Sequence, residues 1–173
     1  MAAPVREDQE LDLKIESLAY GGNGVARLNG FVVFVRRGLP GDVVRARVTK
    51  VKRNHAEALA VDVIEAGAPR VDAPCEHYPE CGGCRFQDLA YEAQVAAKAE
   101  QVEDALRRIG RVAEPPLEPI VPAESVFHYR NKLEYSFTQT PEGPALGFHR
   151  AGRCDDVLDI RRCWLTTALG NPI

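Results

Sequence analysis

The sequence predicts a small closed β-barrel followed by an α+β segment. Residues 10–65 contain four or five short stretches in which apolar and polar residues alternate, and turn-forming residues separate these stretches. Strands at this density are typical of small barrels, a class that often binds oligonucleotides. One helical pattern and three further strand candidates come after them. We therefore expect two domains, a barrel over 8–66 and an α+β portion over 67–173.

Each strand of the barrel has its own signal. In the first strand, Leu11, Leu13 and Ile15 alternate with charged residues, which is the two-residue period of a half-buried strand. The glycine-rich stretch 20–24 predicts a tight turn, because glycine and asparagine tolerate positive φ. The remaining strands of the barrel are predicted at 31–35, 44–51 and 58–64.

The α+β portion begins with the clearest helix, predicted over 88–110. Asp88 is its expected N-cap, and Gly110 is its expected stop. Apolar residues at helical spacing predict one apolar face. This face consists of Val95, Ala99, Val102, Leu106 and Ile109. Beyond a proline-rich connector, strands are predicted at 129–138, 145–149 and 156–163.

Composition excludes several classes of protein. The apolar fraction of 45% is ordinary for a globular chain, and no apolar run approaches the length of a membrane span. The first residues lack the basic and apolar regions of a secretion signal, so we expect a cytoplasmic protein. The chain has five cysteines, and in a reducing compartment clustered cysteines are expected to bind metal rather than to form disulfides.

A net charge of −3 hides a basic segment. Residues 27–53 carry eight basic side chains and the single acidic residue Asp42. Basic residues on alternate strand positions can follow a phosphate backbone, although an ordinary solvated face has the same pattern. Arg130 and Lys132 form a second basic pair on an alternating stretch, and Phe34 could stack on a base or pack in the core. The expected RNA contacts in the basic segment are Arg36, Arg37, Arg45, Arg47, Lys50, Lys52 and Arg53.

The cysteines carry the strongest chemical signal. Cys75, Cys81 and Cys84 form a C-x5-C-x2-C pattern in a loop rich in glycine and proline. Thiolates at such spacing can converge on one metal or cluster, and Cys154 and Cys163 are the candidates for a fourth ligand. Spacing alone leaves a zinc site and an iron–sulfur cluster open.

Two other interpretations of the cysteine loop carry less weight. A redox pair formed by Cys81 and Cys84 is expected at the start of a helix after a strand, a context that is missing here. His77 lies inside the loop and could act as a ligand, but a solvent-exposed loop histidine is the simpler reading.

Several stretches resemble a known family. Residues 18–27 (Leu-Ala-Tyr-Gly-Gly-Asn-Gly-Val-Ala-Arg), 34–35 and 40–43 resemble a TRAM domain, an OB-like RNA-binding β-barrel. The cysteine pattern is similar to the iron–sulfur segment of bacterial 23S rRNA (uracil-C5)-methyltransferases. The resemblance continues in order through Tyr91-x-x-Gln94-x-x-x-Lys98, Leu106-x-Arg-Ile-Gly110, Tyr129-Arg-Asn-Lys132, Leu146-Gly-Phe148 and Ile160-x-x-Cys163-x-Leu165.

The resemblance implies a cofactor and a partner. The cofactor is a [4Fe–4S] cluster held by Cys75, Cys81, Cys84 and Cys163, and Cys154 remains a free thiol. The implied partner is RNA, in particular 23S rRNA. Separately from the resemblance, we expect a monomer. The first domain is then the TRAM barrel, and the second contains the iron–sulfur loop, the helix and an incomplete central domain.

The resemblance also shows what this stretch of sequence does not supply. The family places its catalytic cysteine, its catalytic base and its S-adenosylmethionine site in a C-terminal Rossmann-like domain. We find no counterpart of that domain here and assign none of the five cysteines as the nucleophile. The chain is therefore expected to be the RNA-binding, cluster-bearing N-terminal portion of such an enzyme. The alternative is a stand-alone, non-catalytic RNA-binding protein with an iron–sulfur or zinc site.

Overall fold

A computed structural model describes residues 3–171, which fall into two compact units. The first unit contains the chain up to Arg70 together with Leu89–Ile120. The second unit contains Val71–Asp88 and the chain from Val121 onward. The expected division of the sequence into 8–66 and 67–173 stays a prediction.

The first unit is built on one six-stranded sheet, ordered β1-β5-β6-β4-β3-β2. All its neighbouring strands are antiparallel except β4 and β6, which are parallel. Its first strand pairs with β5, and the chain that follows pairs with β3, where Glu16 N–H donates to the Val25 carbonyl over 2.8 Å. These two sets of bonds curl the sheet into the predicted barrel. The strands are β1 Glu10–Lys14, β2 Ser17–Leu18, β3 Gly24–Leu28, β4 Phe31–Arg36, β5 Val43–Val51 and β6 His55–Glu65.

The barrel core follows the predicted alternation. Along β5, Val44, Ala46 and Val48 are completely buried, whereas Arg45 and Arg47 between them are exposed. Side chains of a strand alternate between its two faces, so one face of β5 packs in the core and the other is basic. The expected basic strand face is therefore present.

The short strand β3 is not predicted from the sequence pattern. Its first residue, Gly24, lies so close to its neighbours that an added Cβ would stand 2.6 Å from the Gly38 carbonyl oxygen. Ala26, in the middle of the strand, is completely buried. Small residues are depleted in strands generally, but here close packing requires them and overrides that preference.

The helix α1 spans Tyr91–Asp104 and continues as a π-helical turn over Ala105–Ile109, which Gly110 ends. The expected N-cap is wrong, because Ala90 occupies that position and makes no side-chain cap. The carboxylate of Asp88 instead accepts a hydrogen bond from the Tyr78 hydroxyl.

The apolar face predicted for this helix is only partly buried. Ala97 is the buried residue of α1, whereas Val102 is 51% exposed and Ile109 is 84% exposed. The C-terminal half of the predicted face therefore borders solvent.

The second unit contains an antiparallel sheet ordered β7-β8-β9, with β7 at Ser136–Thr140, β8 at Gly143–His149 and β9 at Val157–Asp159. The middle strand agrees with its prediction.

The strand predicted at 129–138 is wrong over its first seven residues, because the backbone there pairs elsewhere. The N–H groups of His128 and Arg130 donate to the carbonyls of Trp164 and Leu165.

The strand predicted at 156–163 ends at Asp159, so Cys163 lies beyond the sheet. A short 3-10 turn, Ala168–Gly170, comes last among the described elements. Within residues 3–171, none of the helices combines the length and the apolar character needed to cross a membrane.

Candidate functional site

The second unit contains a cavity of about 300 Å³ that is lined by thiols. Three of them, Cys75, Cys81 and Cys84, come from the loop, and Cys163 comes from the segment after β9. Two turns fold the loop around the cavity, with Tyr78 N–H bonded to the Cys75 carbonyl and Cys81 N–H bonded to the His77 carbonyl. The structure thus brings together the four cysteines expected to hold the cofactor.

Gln87 organises this loop and was missed as a site residue in the sequence. Its side chain is buried, and its Oε1 accepts the N–H of Cys75 over 3.0 Å. Its Nε2 donates to the Cys84 sulfur over 3.5 Å, and Gly83 N–H lies 3.4 Å from the Cys81 sulfur. The loop therefore holds N–H groups beside two of its cysteine sulfurs.

The segment carrying Cys163 has its own anchors. Cys163 N–H donates to Asn171 Oδ1 over 2.8 Å, and Arg161 N–H donates to His77 Nε2 over 3.1 Å. The side chain of His77 is only 10% exposed, so it is not the solvent-exposed histidine expected from the sequence. Its Nε2 holds the 161 segment in place, which gives His77 a positioning role.

Burial controls the ionisation of the loop thiols. Burial, together with a smaller contribution from the neighbouring thiols Cys81, Cys75 and Cys163, raises the pKa of Cys84 to about 11. Burial also raises the pKa of Cys81. Because metals bind the thiolate form, a bound metal or cluster has to displace protons from these groups.

The donor set tests which metal group these residues could hold. Four soft sulfur ligands suit either zinc or an iron–sulfur cluster. A single tetrahedral zinc needs its sulfurs about 4 Å apart, given Zn–S bonds of about 2.3 Å. In the described part of the chain, no group of three or more His, Cys, Asp or Glu side chains is arranged to hold one metal ion. Four sulfurs lining one cavity are compatible with either group, so the donor set alone does not separate zinc from a cluster.

Cys154 is separate from this site. It is exposed, and it is absent from the cavity lining. The assignment of Cys154 as a free thiol stays a prediction.

Cations surround the cavity. Arg130 and Lys132, expected to contact RNA, line it together with Arg162. The guanidinium of Arg162 lies 4.6 Å from the ring centroid of Trp164, and Lys132 pairs with Glu134 over 2.8 Å.

On the barrel, carboxylates neutralise much of the predicted basic face. Arg45 pairs with Asp12 over 3.0 Å, and this hydrogen bond and charge raise the pKa of Arg45. Arg47 pairs with Glu10 over 2.9 Å. Both acidic partners lie directly opposite on β1.

The hairpin between β5 and β6 has a similar pair. Lys52 pairs with Glu57 over 2.9 Å and lowers the pKa of that carboxyl. Within residues 3–171, Arg37, Lys50 and Arg53 form no ion pair. Arg36 is half-buried in β4 and has a partner.

The barrel, at residues 4–61, matches the family model of the TRAM domain. The first unit of this chain therefore contains a TRAM domain.

Proteins named as uncharacterised RNA methyltransferases are similar to most of the chain. One from Nitratidesulfovibrio vulgaris is 42% identical over 159 residues, which cover 91% of this chain and 34% of that protein. One from Bacillus cereus is 36% identical over 163 residues, covering 94% and 35%. One from Aquifex aeolicus is 38% identical, covering 92% and 36%. The chain spans about a third of the length of these relatives and corresponds to their N-terminal part.

Among solved structures, a conserved protein of Methanococcus maripaludis studied in solution is 42% identical over the aligned region. The alignment covers 35% of this chain and 86% of that one, with a TM-score of 0.34. At that score the likeness carries no structural argument.

Proposed function

We propose that this chain is the RNA-binding, [4Fe–4S]-bearing N-terminal portion of an S-adenosylmethionine-dependent 23S rRNA (uracil-C5)-methyltransferase. The observation that carries the proposal is the cavity shared by Cys75, Cys81, Cys84 and Cys163. It lies in a chain that also contains a TRAM domain and is similar to RNA methyltransferases over about nine-tenths of its length.

In this proposal the four cysteines are the cluster ligands, and the residues around them position those ligands. Gln87 and the Gly83 N–H approach the sulfurs of Cys84 and Cys81. His77 holds the segment that carries Cys163. The cluster supplies a cross-link between loop and segment, and its role is structural.

RNA binding belongs to the TRAM barrel. Among the predicted RNA contacts of the barrel, Arg37, Lys50 and Arg53 form no ion pair within residues 3–171 and are the best placed to neutralise phosphates. Arg45 and Arg47 are predicted contacts that must first leave Asp12 and Glu10. We assign methyl transfer and S-adenosylmethionine binding to the part of the relatives that this chain does not span.

Anaerobic purification tests the cluster. We expect a brown protein with about four irons and matching sulfide. Cys163→Ser should lose the colour and the iron, whereas the matched control Cys154→Ser should keep both, because Cys154 is exposed and outside the cavity. A colourless protein with one zinc would overturn the cluster and favour the zinc-bearing RNA-binding protein.

Salt-dependent RNA binding tests the barrel, with a single-stranded fragment of 23S rRNA as the probe. Lys50→Gln with Arg53→Gln should weaken binding and reduce the slope of log affinity against log salt by about 1.4, or about 0.7 per lost contact. Arg45→Gln with Arg47→Gln removes the same charge, but from side chains already paired with carboxylates, and should have the smaller effect. Equal effects would contradict this ranking, and unchanged binding in both would contradict phosphate contact by the strand face.

A further inference from the structure

A second cleft lies within the first unit, away from the cysteines. It has a volume of about 520 Å³. The turn after β2, the outward face of β3 and β4, and the C-terminal end of α1 with its π-helical turn form its walls. The lining residues that matter here are Tyr20, Val25, Phe34, Gln101, Arg108 and Ile109.

The cleft has a fixed frame. Gln101 on α1 donates from Nε2 to the carbonyls of Leu18 and Ala19, over 2.9 and 3.2 Å. The turn that follows is closed by the Ala19 N–H, which bonds to the Asn23 carbonyl. Its next two residues after Tyr20 are glycines with φ of 90° and 84°, a conformation that favours glycine. Helix and turn are therefore joined before any ligand arrives.

Several aromatic and apolar side chains of the cleft lie outside the barrel core. Tyr20 is 97% exposed and Ile109 is 84% exposed. Phe34 is half-buried, and its ring meets His55 edge to face with centroids 5.3 Å apart. The π-helical turn that carries Ile109 is a rare element, often found at functional sites.

The charges of the cleft argue against phosphate as its ligand. Arg27 pairs with Glu16 over 2.5 Å, and Arg108 pairs with Asp104. Glu100 adds a third carboxylate to the lining, which leaves more acidic than basic groups. Such a cleft offers hydrogen-bond donors and acceptors beside aromatic rings without net positive charge. A neutral nucleobase, with a flat face and a polar edge, meets these conditions.

We propose that this cleft is a stacking slot for an unpaired base of single-stranded RNA, with Tyr20 as the stacking ring and the paired side chains around Arg27 and Arg108 facing the edge of the base. The proposal rests on the proposed RNA-binding function. It adds a base site to the phosphate contacts assigned to Lys50 and Arg53.

Binding of the full chain to a mixed-sequence single-stranded RNA octamer tests the slot. Tyr20→Ala should weaken binding about five- to a hundredfold, the range for loss of one base–aromatic stack. The salt dependence should stay unchanged, because no phosphate contact is removed. Tyr20→Phe keeps the ring and should restore binding. Phe137→Ala is the matched control, since Phe137 is 81% exposed in the second unit.

An abasic octamer of the same length separates base from backbone. Its affinity should be the same for the wild type and for Tyr20→Ala. An octamer with 5-iodouridine should photo-cross-link to the peptide that contains Tyr20. If the octamer cross-links elsewhere and Tyr20→Ala keeps full affinity, the base slot is wrong. A cleft that binds another protein instead of RNA would give this result.

The two proposals fail in distinguishable ways. If the wild-type chain binds no RNA, the proposed function itself fails. If it binds RNA and loses affinity in Lys50→Gln with Arg53→Gln, but not in Tyr20→Ala, RNA binding stands and the base slot is wrong.

Discussion

Asp42, directly before β5, is a completely buried carboxylate. It contacts the segment by which the chain leaves the barrel after β6. One of its oxygens accepts the N–H groups of Gly67 and Ala68, each over 2.9 Å, and the other pairs with Arg70 over 2.5 Å. A charge out of water is tolerated only with such partners. Asp42 therefore fixes the backbone just after β6 to the barrel.

Asp42→Asn keeps the shape but removes the charge. We expect the free energy of unfolding to fall by about 2–3 kcal/mol, because the amide oxygen can still accept the N–H groups of Gly67 and Ala68 but the amide N–H2 replaces the oxygen that pairs with Arg70. Urea denaturation measures this. The control Asp62→Asn lies on an exposed face and should change stability by less than about 0.5 kcal/mol. Equal losses in both variants would contradict the role given to Asp42.

Glu57 gives a pH-dependent prediction. Lys52 lowers the pKa of this carboxyl, so the pair adds stability above the unfolded-state pKa and loses it as pH falls through the folded-state pKa. Both side chains are more than two-fifths exposed, so the contribution to stability is small. Lys52→Met should raise the pKa of Glu57 in an NMR titration, while Lys14→Met should leave it unchanged. A pKa insensitive to Lys52→Met would refute the pair.

At this scale the sequence predicts local chemistry better than long-range pairing. The three loop cysteines are close in sequence, so their spacing predicts a common site. The partners of Arg45 and Arg47 lie 33 and 37 residues away. Only the register of β1 against β5 reveals that carboxylates oppose them.

Among the elements, β8 and β9 depend on a close approach at Gly147. A Cβ there would stand 1.8 Å from the Leu158 carbonyl oxygen and 2.7 Å from its carbon. Both are backbone atoms of the paired strand, so a side chain cannot be accommodated by a rotamer change. The short strand β9 must pair with a glycine at this point.

Gly147→Ala should therefore separate β9 from β8. We expect a loss of at least about 2 kcal/mol in stability, typical of severe steric conflict in a packed region. Amide exchange of 157–159 measures the separation. Gly83→Ala is the control in the same unit, because its added Cβ meets only the Cys81 sulfur at an ordinary 3.5 Å. If the amides of 157–159 remain protected from exchange in Gly147→Ala, the two strands accommodate the added Cβ without unpairing, and the prediction is wrong.

Elements with strong alternation are predictable, and elements set by tertiary contacts are not. The pattern around Leu13, and the one along β5, follow from one buried face and are confirmed by the structure. The strand β3 was missed because its small residues reflect close packing. The helix start was misplaced because Tyr78 takes the carboxylate of Asp88 as its own partner.

For the whole molecule, cluster removal should act on one unit. If the cluster links the cysteine loop to the Cys163 segment, its loss should speed amide exchange in 71–88 and 121–171. The helix α1 lies between the ligands in sequence but belongs to the barrel unit, so it should stay protected. Hydrogen exchange on the cluster-loaded chain and on Cys163→Ser measures this. Equal loosening of barrel and cysteine loop would contradict the two-unit organisation.

The two-unit division itself could not be read from the order of elements along the chain. The sequence places the helix after the cysteine loop and so groups the two. In the structure, Gln101 binds the backbone at Leu18 and Ala19, which joins the helix to the barrel. A single glutamine side chain on this helix gives no sequence signal for such a contact.

The cysteine loop leaves and returns at almost the same point. Arg70 and Leu89 form an antiparallel bridge. Beside it, Val71 N–H bonds to the Asp88 carbonyl and Ala90 N–H bonds to the Pro69 carbonyl, over 2.9 and 2.8 Å. The loop therefore sits on a closed two-stranded stem. Because the chain leaves and re-enters at one point, the path from barrel to helix has the same length whatever the length of the loop between them.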